Sequence, residues 1–163
     1  MAGHIHPRDI PPRYYKPLGQ LVAGWNLTEA LLSSIIWHFH KIKDPRVGRL
    51  FTYRMSSVER LRVFKLTAEK HVPSPAITDS MRVLRREAET LRGRHNTFVH
   101  GLWGRMPNEK KTWKVFFLKD TDHTDLLRRE VITLQDLIEL AARIRKLNVN
   151  LDKFRVQIGA PPP

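Results

Sequence analysis

Apolar residues recur along this chain in alternating steps of three and four, the spacing that lines one face of an α-helix. Over residues 17–42 the stripe is Leu18, Val22, Trp25, Leu32, Ile36 and Phe39, with a single polar member, Glu29. Such a stripe is the seam of a helix packed nearly antiparallel to its neighbours. Asp44-Pro45 then offers an N-cap followed by proline at the first helical position. The second helical segment that follows carries Val47, Leu50, Phe51, Val58, Leu61, Phe64 and Ala68, with a break near Ser56-Ser57. Ser74-Pro75 opens a third helix by the same logic. Its seam is Ile77, Met81, Leu84, Ala88, Leu91, His95 and Phe98, and Gly101 is placed to end it. A fourth helix opens at Thr133, where Asp136 three residues on completes a capping-box pattern. Leu137, Leu140, Ile144, Leu147, Leu151, Phe154 and Ile158 form its seam, the most regular in the chain.

Between the third and fourth helices the period changes. Residues 112–118 are rich in β-formers and pair with 102–106 across a polar turn at 107–111. The expected fold is all-α: an up-and-down four-helix bundle over residues 17–158, with a short β-hairpin before the last helix. Residues 1–16 hold Pro7, Pro11 and Pro12 and read as an extended arm. Residues 159–163 end in three prolines and form a tail.

With 163 residues, 41% of them hydrophobic, the chain has enough apolar material for one globular domain. It contains no cysteine, which excludes disulfides, thiolate zinc sites and a cysteine nucleophile. No window is apolar enough to span a membrane, and the N-terminus shows no secretory hydrophobic region. These features suit a cytoplasmic protein. The formal net charge of +13 changes the picture more. Such a surface attracts polyanions, nucleic acid foremost, though charge alone gives affinity without specificity.

Residues 92–103 concentrate the chemistry. Arg92, Arg94, His95, Asn96 and His100 lie at the end of the third helix. Arg92, Asn96 and His100, at i, i+4 and i+8, share one stripe beside the seam that holds His95. His100 can act as base or acid, an arginine can stabilise phosphate charge, and Asn96 can fix the imidazole or a substrate hydroxyl. The competing reading is a helix C-terminus whose basic residues complement the macrodipole. Glu29 is the second signal. A carboxylate in an apolar seam needs a cation or hydrogen-bond donor facing it. His95 is one candidate and a nearby arginine another; otherwise the seam drifts to solvent at that point.

The 92–103 segment resembles the signature of the HEPN superfamily: an arginine, four to six residues, then a histidine. Arg94, five intervening residues and His100 match it. The resemblance extends over residues 17–158 through the expected bundle, the ending from Asn96 to Trp103, and the start of the last helix. It implies a metal-independent endoribonuclease, often toxin-like and usually dimeric, with motifs from two subunits meeting at one composite site. His100 would help activate the ribose 2′-hydroxyl and Arg94 would hold the scissile phosphate, with Asn96 beside them. Arg92, His95 and Glu29 would support. RNA is then the substrate, a homodimer the assembly, and an antitoxin or other protein a further partner; no cofactor is implied. In the commonest form the arginine directly precedes the asparagine-like residue. Here His95 stands between Arg94 and Asn96. Arg94 therefore needs a distorted helix to face His100, or Arg92 takes its role.

Weaker signals remain. His38 and His40, at i and i+2 on a helix, do not share a face, and His4/His6 lie in the arm, so no metal site is expected. Arg82, Arg85, Arg86, Arg92 and Arg94 make the third helix basic, with Glu87 and Glu89 interleaved. Trp103, Trp113 and Phe117 either stack bases or pack the hairpin onto the helices. The alternative to RNA cleavage or binding is a non-catalytic interaction module that dimerises or binds a partner.

Overall fold

The computed structural model describes residues 10–104, 113–117 and 128–163. The arm before residue 10, with His4 and His6, and the turn at 107–111 lie outside them, as do the side chains of Trp113 and Phe117. The described chain is mostly helical: α1 (Tyr15–Phe39), α2 (Pro45–Thr52), α3 (Ser57–Lys70), α4 (Pro75–His100) and α5 (Leu134–Gln157). Between α4 and α5 lie β1 (Leu102–Gly104), β2 (Trp113–Phe117) and β3 (Arg128–Ile132).

Local chemistry sets most helix boundaries. Asp44 caps α2 by accepting from the Arg46 backbone N–H at 2.8 Å. Ser56 and Glu59 form a capping box on α3, and Thr133 and Asp136 form another on α5. α1 ends where Lys41 takes a left-handed φ of 57°, letting the Ile42 N–H reach back to the Trp37 carbonyl. Gly159, at φ 72°, ends α5 in the same way and turns the tail back onto the helices. There Ala160 is buried and the Ser34 hydroxyl donates to the Pro161 carbonyl. Gly101 ends α4 in extended conformation, leading straight into β1.

α1, α3, α4 and α5 close around one core, and α1 with α5 share the broadest helix–helix contact. Those two approach closely at Gly24, where an added Cβ would stand 3.0 Å from Ile144 Cγ2. Asn148 bridges them, donating to the Gly24 carbonyl at 2.8 Å, with the Thr28 hydroxyl 2.7 Å from its Oδ1. The seams expected for α4 and α5 are the buried faces of those helices, with Ile77 and Ile158 half-buried at their ends.

Four sequence expectations need correction. On α1, Leu21 is inside and Val22 exposed, and every residue over 31–37 is buried, so the helix offers the core more than a stripe. On α2, Val47, Leu50 and Phe51 are exposed while Gly48 and Thr52 face inward; Val58 on α3 is exposed too. Trp37 occupies the space over Gly48, where a Cβ would lie 2.5 Å from the indole, so only a glycine lets α2 seat. The expected hairpin is a three-stranded antiparallel sheet, order β1-β2-β3, with Trp103 opposite Val115 and Val115 opposite Glu130. Residues 12–16 are not extended: Pro12–Tyr14 form a 3-10 turn and α1 begins at Tyr15. Burial drives this, because the Tyr14 ring meets Trp103 edge-on at 5.9 Å.

Candidate functional site

Glu29 does not drift to solvent. Its Oε2 lies 2.9 Å from Nη1 of Arg60 on α3, with side-chain exposures of 25% and 9% respectively. That contact is an ion pair without hydrogen-bond alignment at Nη1. Arg60 is held elsewhere by Nε to the Ser33 hydroxyl at 3.0 Å and Nη2 to the Thr52 carbonyl at 2.9 Å. Glu29 Oε1 accepts from the Ser57 hydroxyl and, at 3.2 Å, from the Trp25 indole N–H. The carboxylate therefore has three partners on two helices, which answers its desolvation.

Trp25 connects this pair to α4. Its ring stacks on His95, with centroids 5.1 Å apart and planes 24° from parallel. His95 is only 6% exposed. Burial, above all, pushes its pKa below 6.5; the Asn96 hydrogen bond opposes this, the charge on His100 adds to it, and Glu29 opposes it. His95 Nδ1 lies 3.2 Å from Asn96 Oδ1. An amide oxygen only accepts, so Nδ1 carries the proton and Nε2 keeps the lone pair. The ring of His100, exposed at the last position of α4, stands edge-on to His95 at 6.3 Å.

The structure thus brings Glu29, His95, Asn96 and His100 into one connected cluster, joined by Trp25, Ser57 and Arg60. Those last three escaped the sequence reading. Their signal was the unmet charge of Glu29, which demanded a cation without naming its position. The arginines fall differently. α4 stays helical through His100, so Arg94 is not turned toward it. The Arg94 guanidinium sits 5.0 Å over the Phe98 ring; the Asp136 carboxyl at the start of α5 is held low chiefly by its hydrogen bonds to Thr133, with the Arg94 charge adding to this. Arg92 is half-buried on the Asn96–His100 stripe. Eight residues of helix separate it from His100 by about 12 Å along the axis.

Farther along α4 the basic face is partly neutralised: Arg82 pairs with Asp79 at 2.7 Å and Arg85 with Glu89 at 2.6 Å, while Arg86 is exposed. Trp103 is buried against Tyr14 and donates to the Phe98 carbonyl at 2.9 Å, so it packs the sheet onto α4 and has no free face for a base. Among the described residues no helix is long and apolar enough to cross a membrane. No protein-family model, curated protein or solved structure matches the chain.

Proposed function

We propose that this protein binds RNA and cleaves it without metal, as a HEPN-like four-helix protein with its site at the C-terminal end of α4. The observation that carries the reading is the His95–His100 pair. An exposed imidazole at the helix end backs onto a buried neutral one whose tautomer Asn96 fixes. His100 takes the proton of a ribose 2′-hydroxyl, which attacks the adjacent phosphorus as the 5′-oxygen leaves and takes up a proton from water. The products are a 2′,3′-cyclic phosphate and a 5′-hydroxyl, and DNA, lacking the nucleophile, resists. The +13 charge draws the substrate in. Arg94 leans toward Phe98 and Arg92 lies about two turns away. A composite dimer, in which a second copy brings its arginine to His100, is therefore the assembly this reading requires.

The test is cleavage of a labelled mixed-sequence RNA in EDTA by wild type and His100→Ala. Cleavage by wild type alone, with cyclic-phosphate ends, is the expected result. Equal cleavage by both proteins removes His100 from the site. RNA binding without cleavage leaves a binding protein only. The second reading is a non-catalytic interaction module that dimerises or binds a partner protein or nucleic acid. It is favoured by the outward apolar face of α2, where Leu50 is 78% exposed beside Val47 and Phe51. It expects His100→Ala to be silent.

A further inference from the structure

His40 closes α1 and His71 closes α3, and the fold sets these two helix ends side by side. Their imidazole rings lie 4.5 Å apart between centroids, tilted by 48°. His38 and His40 do not share a helix face; the long-range partner of His40 is His71. His38 turns its ring instead to Phe39.

The His40 ring is held from behind. Its Nε2 meets the hydroxyl of buried Thr67 at 3.1 Å, and Phe51 flanks it at 6.0 Å. In the tautomer whose Nε2–H donates to that hydroxyl, the Nδ1 lone pair is left to bind a ligand. A hydrogen bond from the far nitrogen that fixes ring and tautomer is the usual support behind a metal-ligating histidine. His71 is exposed, so solvent reaches the pair. Two imidazoles on one ion at metal–nitrogen distances of about 2.0–2.1 Å place their centroids about 4.5 Å apart at a right angle and about 5.2 Å apart at the tetrahedral angle.

We propose that His40 and His71 form a two-imidazole site for a divalent transition ion of the nickel, copper or zinc class. Imidazole ligands without carboxylates select these ions over magnesium and calcium. Among the described residues no group of three or more His, Cys, Asp or Glu gathers to hold a metal. Water therefore completes the shell, and the bound ion exchanges readily. Thr67 is a positioning residue for the His40 ring.

The probe is Ni²⁺, titrated calorimetrically into the full chain carrying His4→Ala/His6→Ala, which removes the histidines of the N-terminal arm. Histidine ring NMR spectra are recorded alongside. The expected result is one ion per chain, with paramagnetic broadening of the His40 and His71 rings. His71→Ala, an exposed change that leaves the core intact, should weaken binding by at least about tenfold, because the second imidazole acts at high effective concentration. Thr67→Val should weaken it by roughly 10-fold, and Mg²⁺ should not compete. The proposal is overturned by absence of Ni²⁺ binding, by binding that His71→Ala leaves unchanged, or by broadening that spares these two rings. The His95–His100 site is separate, and the cleavage assay in EDTA is indifferent to the outcome.

Discussion

Glu29→Ala should destabilise this protein far more than an ordinary surface change. The loss falls mainly on Arg60. Trp25 keeps a second partner, because its indole N–H also lies 3.3 Å from the Ser57 hydroxyl. Arg60 keeps its bonds to Ser33 and Thr52 but is left as a charge with 9% exposure and no counter-ion. Removing one member of a buried pair costs about 3–5 kcal/mol. A quarter of the Glu29 side chain meets solvent, so screening lowers the expectation to about 2–4 kcal/mol. For a chain of this size that is a melting point lower by about 4–16 °C. Urea unfolding and thermal melts of wild type, Glu29→Ala, Arg60→Met and the double variant measure it. The double variant should recover much of the loss. The Thr52 carbonyl still accepts from the Met55 N–H at 3.1 Å, so removing Arg60 strands no acceptor there. A Glu29→Ala protein within about 0.5 kcal/mol of wild type, or single-variant losses that simply add, would refute the reasoning.

Two glycines should respond in opposite directions. Gly48→Ala should cost about 1–3 kcal/mol by driving a methyl into Trp37, whereas Gly93→Ala, with open space around it inside α4, should gain about 0.5–1 kcal/mol. Chemical denaturation of both reads the difference, and a stabilising Gly48→Ala would contradict the seating of α2. His95, its pKa lowered on folding, takes up protons more readily unfolded, so its contribution is full above about pH 6.5 and is lost as pH falls toward the folded pKa. His95→Phe, which keeps the stack on Trp25, should therefore show a smaller drop in urea midpoint between about pH 7.5 and about pH 5.5; an unchanged slope would place the effect elsewhere, with His40 next in line.

The buried faces of α4 and α5 were legible because each meets the core along one stripe, so inside and outside residues alternate cleanly. α1 was harder. Leu21 and Val22 are adjacent apolar residues that fit two registers, and from Leu31 to Trp37 burial on all sides erases the period. α2 inverted the usual rule because its inward side needed a small residue, not an apolar one, under Trp37. β3 went unseen because Arg128-Arg129-Glu130 carry little of the β-forming character that marked β2. At the site, Glu29, His95, Asn96 and His100 were visible as unusual residue types in telling places. Arg60 and Ser57 were not, since which charge answers Glu29 depends on how α3 packs across α1.

The broad contact between the first and last helices bears on how the protein comes to be made. A ribosome completes α5 more than a hundred residues after α1, on the order of ten seconds later at ordinary elongation rates. Through that interval the buried face of α1, which holds Leu21, Leu31 and Ile35, lacks part of the core that finally closes around it. The nascent chain thus carries a sticky helix that cannot be satisfied until residues 134–157 have emerged. Translation halted before residue 134 would release a species prone to aggregation, not a smaller folded unit.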